Sequence, residues 1–133
     1  MKSNYELEAK RENQKGTVLC GARIGYEGAA SFTLADVCSA IDAINKRLGE
    51  RGMPSVGCIV SEGMLVGRTG EAGYREPVYR CEFSTSPRAA AQSRDSFNDM
   101  ILTYASELGT HFKQERMYVE LDGVTHVLRR SNE

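Results

Sequence analysis

The sequence predicts an α+β domain in which two helices cover one face of an antiparallel sheet, and three observations carry that expectation. Two segments place apolar residues at helical spacing, several shorter ones alternate apolar with polar residues, and Asp122-Gly123 sits between the last two alternating runs. Helical and extended segments are told apart by those two periods, and Asp-Gly marks a tight hairpin.

The elements follow in order. Residues 1–15 form a polar arm carrying Lys2, Glu6, Glu8, Lys10, Arg11, Glu12 and Lys15, and residues 16–130 form one domain. Thr17 to Ile24 reads as a strand with Val18, Cys20, Ala22 and Ile24 on one face, ended by Gly25-Tyr26-Glu27-Gly28. A helix starts at Thr33, whose hydroxyl can cap the first turn, with Asp36 near the positive end of the dipole. Its stripe is Leu34, Val37, Cys38, Ile41, Ile44 and Leu48, and Gly49 supplies the stop. Ser55 to Val60 and Met64 to Val66 read as extended, Ser61-Glu62-Gly63 as a turn or bulge between them, and Arg68 to Pro77 as a glycine-containing loop.

Val78 to Thr85 alternates again, with Tyr79, Cys81 and Phe83 inward and Arg80, Glu82 and Ser84 outward. Ser86-Pro87 reads as the entry to a second helix, a capping hydroxyl followed by proline at the first helical position. That helix carries Phe97, Met100, Ile101, Tyr104, Ala105 and Leu108 and stops at Gly109. Arg116 to Leu121 and Val124 to Leu128 close the domain as a hairpin, and residues 131–133 are a tail.

Strand, helix, strand, strand, helix, strand, with one more hairpin strand, is the ferredoxin-like split βαβ plan. In that element order, from Thr17 to Leu128, the chain resembles the small oligomeric PII signalling and CutA families. The resemblance implies an oligomeric two-layer fold; it involves no sequence motif of those families, so it brings none of their ligands with it. One sheet face is left for water or a partner. Leu19, Val119 and Val127, beside Arg23, Arg80 and Glu82, are the expected open-face residues, and covering them predicts a homo-oligomer.

Composition sets the partner classes. With 17 Lys+Arg against 18 Asp+Glu over 133 residues the net charge is −1, which predicts no affinity for long nucleic acid or anionic membrane. The arginines Arg68, Arg75, Arg80, Arg88 and Arg94, without a lysine between them, give only a slight local surplus over Glu71, Glu76 and Glu82. No run is long and apolar enough to span a bilayer, and the polar start lacks the apolar core of a signal peptide, so a cytoplasmic protein is expected. Cys20, Cys38, Cys58 and Cys81 show no metal-ligand spacing and read as small hydrophobes. No metal and no cofactor is expected.

In the split βαβ plan the ends of the first strand, the second strand and the second helix meet at one sheet edge. That edge would gather Tyr26, Thr33, Arg68, Tyr74, Arg75, His111 and Lys113 near the start of the first helix. Backbone N–H groups, arginine forks and aromatic faces suit a small anionic or nucleotide-like ligand. Ser84-Thr85-Ser86-Pro87-Arg88 is explained by capping, and His126 by a structural role. No nucleophile elbow, zinc-binding helix or aspartate-rich metal loop occurs. The leading expectation is therefore a non-enzymatic ligand-binding protein, with no residue assigned to catalysis. Two alternatives stand beside it: a protein-interaction module or phage-type inhibitor using the open sheet face, and a small isomerase or lyase using His111 or Tyr118. The last predicts a closed apolar cavity near those residues.

Overall fold

The computed structural model describes residues 4–24, 30–86 and 92–131. The chain runs β1 (Lys15–Gly21), β2 (Arg23–Ile24), β3 (Ala30–Ser31), α1 (Leu34–Glu50), β4 (Val56–Thr69), β5 (Ala72–Thr85), α2 (Arg94–His111), β6 (Arg116–Leu121) and β7 (Val124–Arg129). Five strands form one antiparallel sheet in the order β4-β5-β1-β6-β7, with β2 and β3 as a separate small ladder. This is the ferredoxin-like arrangement with β7 added by the Asp122-Gly123 hairpin. Both turn residues take positive φ, 54° and 77°, the backbone that such a two-residue turn demands.

Period-two alternation sends one face of each central strand into the core. Val18 and Cys20 of β1, Tyr79, Cys81 and Phe83 of β5, and Met117, Val119 and Leu121 of β6 are buried. Against them α1 packs Val37, Ala40, Ile41, Ile44 and Leu48, and α2 packs Phe97, Met100, Ile101, Tyr104, Ala105 and Leu108. Gly16 lets α2 settle onto β1, since a Cβ there would lie 2.6 Å from Leu121 Cδ2 and 3.3 Å from Ile101 Cγ2. The helices are joined by the Tyr104 hydroxyl donating to Asn45 Oδ1 and by Arg47 against Glu107 at 3.1 Å.

α1 begins as the sequence predicts. Asp36 N–H donates to Thr33 Oγ1 at 3.2 Å and Thr33 N–H donates to Asp36 Oδ2 at 2.8 Å, a reciprocal capping box.

Several expectations are corrected. β4 runs unbroken through Ser61-Glu62-Gly63, each paired to β5, so no turn or bulge interrupts it. The expected loop from Arg68 to Pro77 is the distal part of a long hairpin, turned tightly at Gly70, whose φ is 61°. The first strand stops at Gly21, and Arg23–Ile24 pair instead with Ala30–Ser31. α2 starts at Arg94 with Ser93 as its cap, the Ser93 hydroxyl accepting from Ser96 N–H, rather than at Ser86-Pro87; Pro87 and Arg88 lie outside the described residues. Val119 is 0% exposed, because Met117, Val119 and Leu121 form the inward set of β6 and Tyr118 and Glu120 the outward one. Cys38 is exposed, lying at the margin of the stripe whose buried members are Val37, Ala40 and Ile41.

Candidate functional site

At the edge where β1 ends, α1 begins and α2 ends, a short aromatic stack fixes three elements. Phe32 stacks on Phe112 with centroids 3.9 Å apart and planes within 7°, Tyr79 lies 5.2 Å from Phe32, and His111 meets Phe112 edge-on at 4.6 Å. The Tyr79 hydroxyl donates to the Phe32 carbonyl at 2.5 Å, so a strand residue holds the chain just before the Thr33 cap. Ala22 N–H donates to the Pro77 carbonyl and Phe32 N–H to the Ala22 carbonyl, closing the entry from β1.

The electrostatics at this edge are acidic. Burial first, then the carboxylates of Glu62 and Asp36, push the Tyr79 hydroxyl above its ordinary value. The two hydrogen bonds from Thr33, with the charge of His111 as a lesser cause, hold the Asp36 carboxyl below the usual range. Thr33, Asp36 and His111 are therefore neighbours, as the element order predicts.

The other expected residues are placed differently. Arg68 and Arg75 share the face of the β4–β5 arm that carries Glu62 and Tyr79. At a strand's rise per residue they lie roughly 20 Å beyond Glu62 and roughly 13 Å beyond Tyr79. Tyr74 is on the opposite face, its ring over Gly67, where a Cβ would lie 2.5 Å from it. Lys113 follows α2 in a left-handed turn, φ 51°, and is exposed. Tyr26 lies outside the described residues.

The open sheet face holds a second feature that the sequence reading missed. Gly63, Val78 and Gly21 are in register across β4, β5 and β1, so a row of two glycines with one valine between them crosses the sheet there. The adjacent row is Ser61, Arg80, Leu19, Tyr118 and Val127, in register across all five strands. Glu76 and Gln114 stand over Gly21, since a Cβ there would lie 3.5 Å from Glu76 Oε1 and 3.0 Å from Gln114 Oε1. On this face two glycines thus flank Val78, with a carboxylate and an amide over Gly21 and Tyr118, 43% exposed, in the neighbouring row. Glycine within a strand commonly marks where a ligand or another backbone comes close. The only signal in the sequence was the pair Gly21 and Gly63, and their alignment depends on the pairing register.

A groove of about 310 Å³ runs between the end of α2 and β6–β7, lined by Ser106, Thr110, Met117, Leu128, Arg129 and neighbours, and touches neither His111 nor Tyr118. It is open and partly polar, unlike the closed apolar cavity expected for an isomerase or lyase. Among the described residues no group of three His, Cys, Asp or Glu is arranged to hold a metal ion. No helix among them is long and apolar enough to cross a membrane.

No family model and no curated protein matches the chain. Two solved structures do. A phage SAM lyase in complex with S-methyl-5'-thioadenosine superposes with a TM-score of 0.66 and 18% identity, covering 96% of this chain and 99% of the other. A phage SAM lyase in the apo state gives 0.60 and 19%, covering 97% and 98%. The shared fold thus spans both chains almost from end to end. Both neighbours are enzymes, which overturns the expectation of a non-enzymatic binding protein and favours the small isomerase or lyase alternative.

Proposed function

We propose that this chain is a small lyase that cleaves S-adenosylmethionine or a close sulfonium analogue and releases 5'-methylthioadenosine. The observation that carries the reading is the end-to-end fold likeness to a lyase holding that nucleoside. The chemistry asks little of a protein in the way of acid–base groups. A sulfonium is a good leaving group: when the bond between sulfur and the aminobutyryl carbon breaks, the electron pair moves to sulfur and a neutral thioether departs. The carbon left behind is satisfied by its own carboxylate oxygen closing a ring, or by loss of a neighbouring proton to a base. The protein's tasks are to orient the chain, exclude water and stabilise the cation before it is lost.

The open-face row of Gly63, Val78 and Gly21 suits those tasks. A flat purine can lie against Gly63 and Val78, with Tyr118 as an aromatic face and Gln114, which stands over Gly21, for polar contact. Glu76 is the carboxylate nearest to a sulfonium there, and aromatic faces also attract cations. Being shallow, the site needs a cover. A homo-oligomer through the open face would supply it, burying Ile59, Tyr118 and Val127, which are 68%, 43% and 55% exposed in the single chain. In such an assembly the face of the projecting arm that carries Tyr74 turns towards a neighbouring copy, and Arg68 and Arg75 lie on its other face. A cytoplasmic setting, where the substrate is made, fits this reading.

The test is incubation of the purified protein with S-adenosylmethionine and chromatographic detection of adenine-containing products. 5'-Methylthioadenosine should accumulate in proportion to protein and time, and its amino-acid co-product identifies the route. No product above the spontaneous rate would overturn the proposal.

A further inference from the structure

β4 is an edge strand, 14 residues long, with β5 on one side of it. Beyond the row of Gly63, Val78 and Gly21, β1 has ended and β4 and β5 continue as two strands alone. In that arm residues 72–77 of β5 are exposed, as are Met64, Leu65 and Val66 of β4, at 55%, 41% and 62%. A two-stranded ribbon is marginal in water, and further strands are what stabilise one. Protein sheets also blunt their edges with proline, lysine or a bulge. β4 has none of these: its register with β5 is unbroken, and its charges are Glu62 and Arg68.

The backbone shows which groups this edge offers. The Pro77 carbonyl accepts from Ala22 N–H at 3.1 Å, so the backbone of Pro77 is turned to the β1 side. Met64 is the β4 partner of Pro77, in a pair without mutual hydrogen bonds, and turns its own N–H and C=O to the free edge. By alternation Glu62, Val66 and Arg68 do the same.

Around Leu65 the side chains run in mirror order, Glu62-Gly63-Met64-Leu65-Val66-Gly67-Arg68. Laid antiparallel on a second copy about a two-fold axis at Leu65, this segment sets Glu62 against Arg68, Gly63 against Gly67, Met64 against Val66 and Leu65 against itself. The pairs Met64–Val66 and Glu62–Arg68 are those whose backbone groups face the edge, so hydrogen bonding and side-chain chemistry ask for the same register. An axis at Met64 would set Glu62 against Val66, and one at Val66 would set Arg68 against Met64. Gly67 carries the Tyr74 ring of its own copy, and a glycine opposite leaves that ring room.

We propose that two copies of this chain join edge to edge through β4, antiparallel about Leu65, so that their arms complete one four-stranded ribbon. The two-fold contact uses both edges and closes on itself. It is separate from the open sheet face and does not depend on the reaction proposed above.

Native mass spectrometry of the full chain should find an even number of copies. Glu62→Arg and Arg68→Glu each set like charges opposite one another twice, and each should halve the mass. Both side chains are exposed, so circular dichroism should be unchanged. An equimolar mixture of the two variants should regain the full mass with both in equal number, and the double variant should regain it alone. Leu65→Cys gives a covalent readout. A pair of this kind holds its Cα atoms about 4.5 Å apart, within disulfide reach. Mild oxidation should therefore link two chains through residue 65, and Val66→Cys should not link through residue 66. An odd number of copies, full mass in either single variant, a mixture that stays at half mass, or linkage at residue 66 in place of 65 would overturn the proposal.

Discussion

Gly63 separates the demands of the fold from those of the proposed site. A Cβ added there would lie 3.7 Å from Val78 Cγ2, an ordinary van der Waals contact, and Gly63 needs no left-handed backbone. Replacing a strand glycine with alanine removes unfolded-state freedom, so Gly63→Ala should leave stability unchanged or raise it by up to about 1 kcal/mol. The same methyl stands on the open sheet face, on the floor proposed for a flat ligand, between that ligand and the backbone. Lifting a purine off that floor forfeits part of its contact, and a loss of ~1.4 kcal/mol corresponds to a tenfold weaker complex. Gly63→Val, with two more carbons on the floor, should weaken binding further. Urea unfolding measures the first quantity, and calorimetric titration with 5'-methylthioadenosine the second. Wild-type affinity in both variants would refute the placement of the nucleoside. A strong loss of stability in Gly63→Ala would refute the packing argument on which the separation rests.

Other outcomes follow from particular bonds. Tyr79→Phe keeps the ring against Phe32 but leaves a buried carbonyl without its donor, which should cost about 1–3 kcal/mol in urea unfolding; Tyr118→Phe, on the exposed face, should fall within about 0.5 kcal/mol. Burial, with Cys58 and Glu107 as lesser causes, raises the Tyr104 hydroxyl from 10.0 to about 12. The folded state thus holds that proton more tightly than the unfolded one, and the contribution is complete below the unfolded value. Roughly 2–3 kcal/mol should be lost as the pH rises between those two values, and a Tyr104→Phe variant should show a flatter decline. Val127→Asp places a charge on the open face without touching the core, so native mass spectrometry should find a smaller assembly than for the wild type; an unchanged mass would exclude that face as the contact.

Much of the fold was legible because local chemistry and tertiary packing agree. Thr33 and Asp36 announce α1, and the capping box is present. Asp122-Gly123 announces the last hairpin, and both residues adopt the positive φ it needs. Alternation in Val78–Thr85 correctly sends Tyr79, Cys81 and Phe83 inward. The distal arm was missed because residues exposed on both faces carry no alternation, so a paired strand there reads like a loop. Residues 72–77, within the stretch read as a loop, are all exposed, and cross-strand pairing rather than burial keeps them extended.

The site divides along the same line. The meeting of Thr33 with His111 follows from element order, and the sequence determines it as soon as the βαβ plan is recognised. The open-face row of Gly63, Val78 and Gly21 and the distal pairing of β4 with β5 do not follow from element order. Each joins residues on different strands, and which residues face one another is decided by pairing register, where a slip of one position turns every side chain to the other face. Sequence alone therefore determined the helices, the strand order and one edge of this protein. Tertiary structure decided which glycines align and how far β4 and β5 pair, because those are long-range contacts that no local pattern encodes.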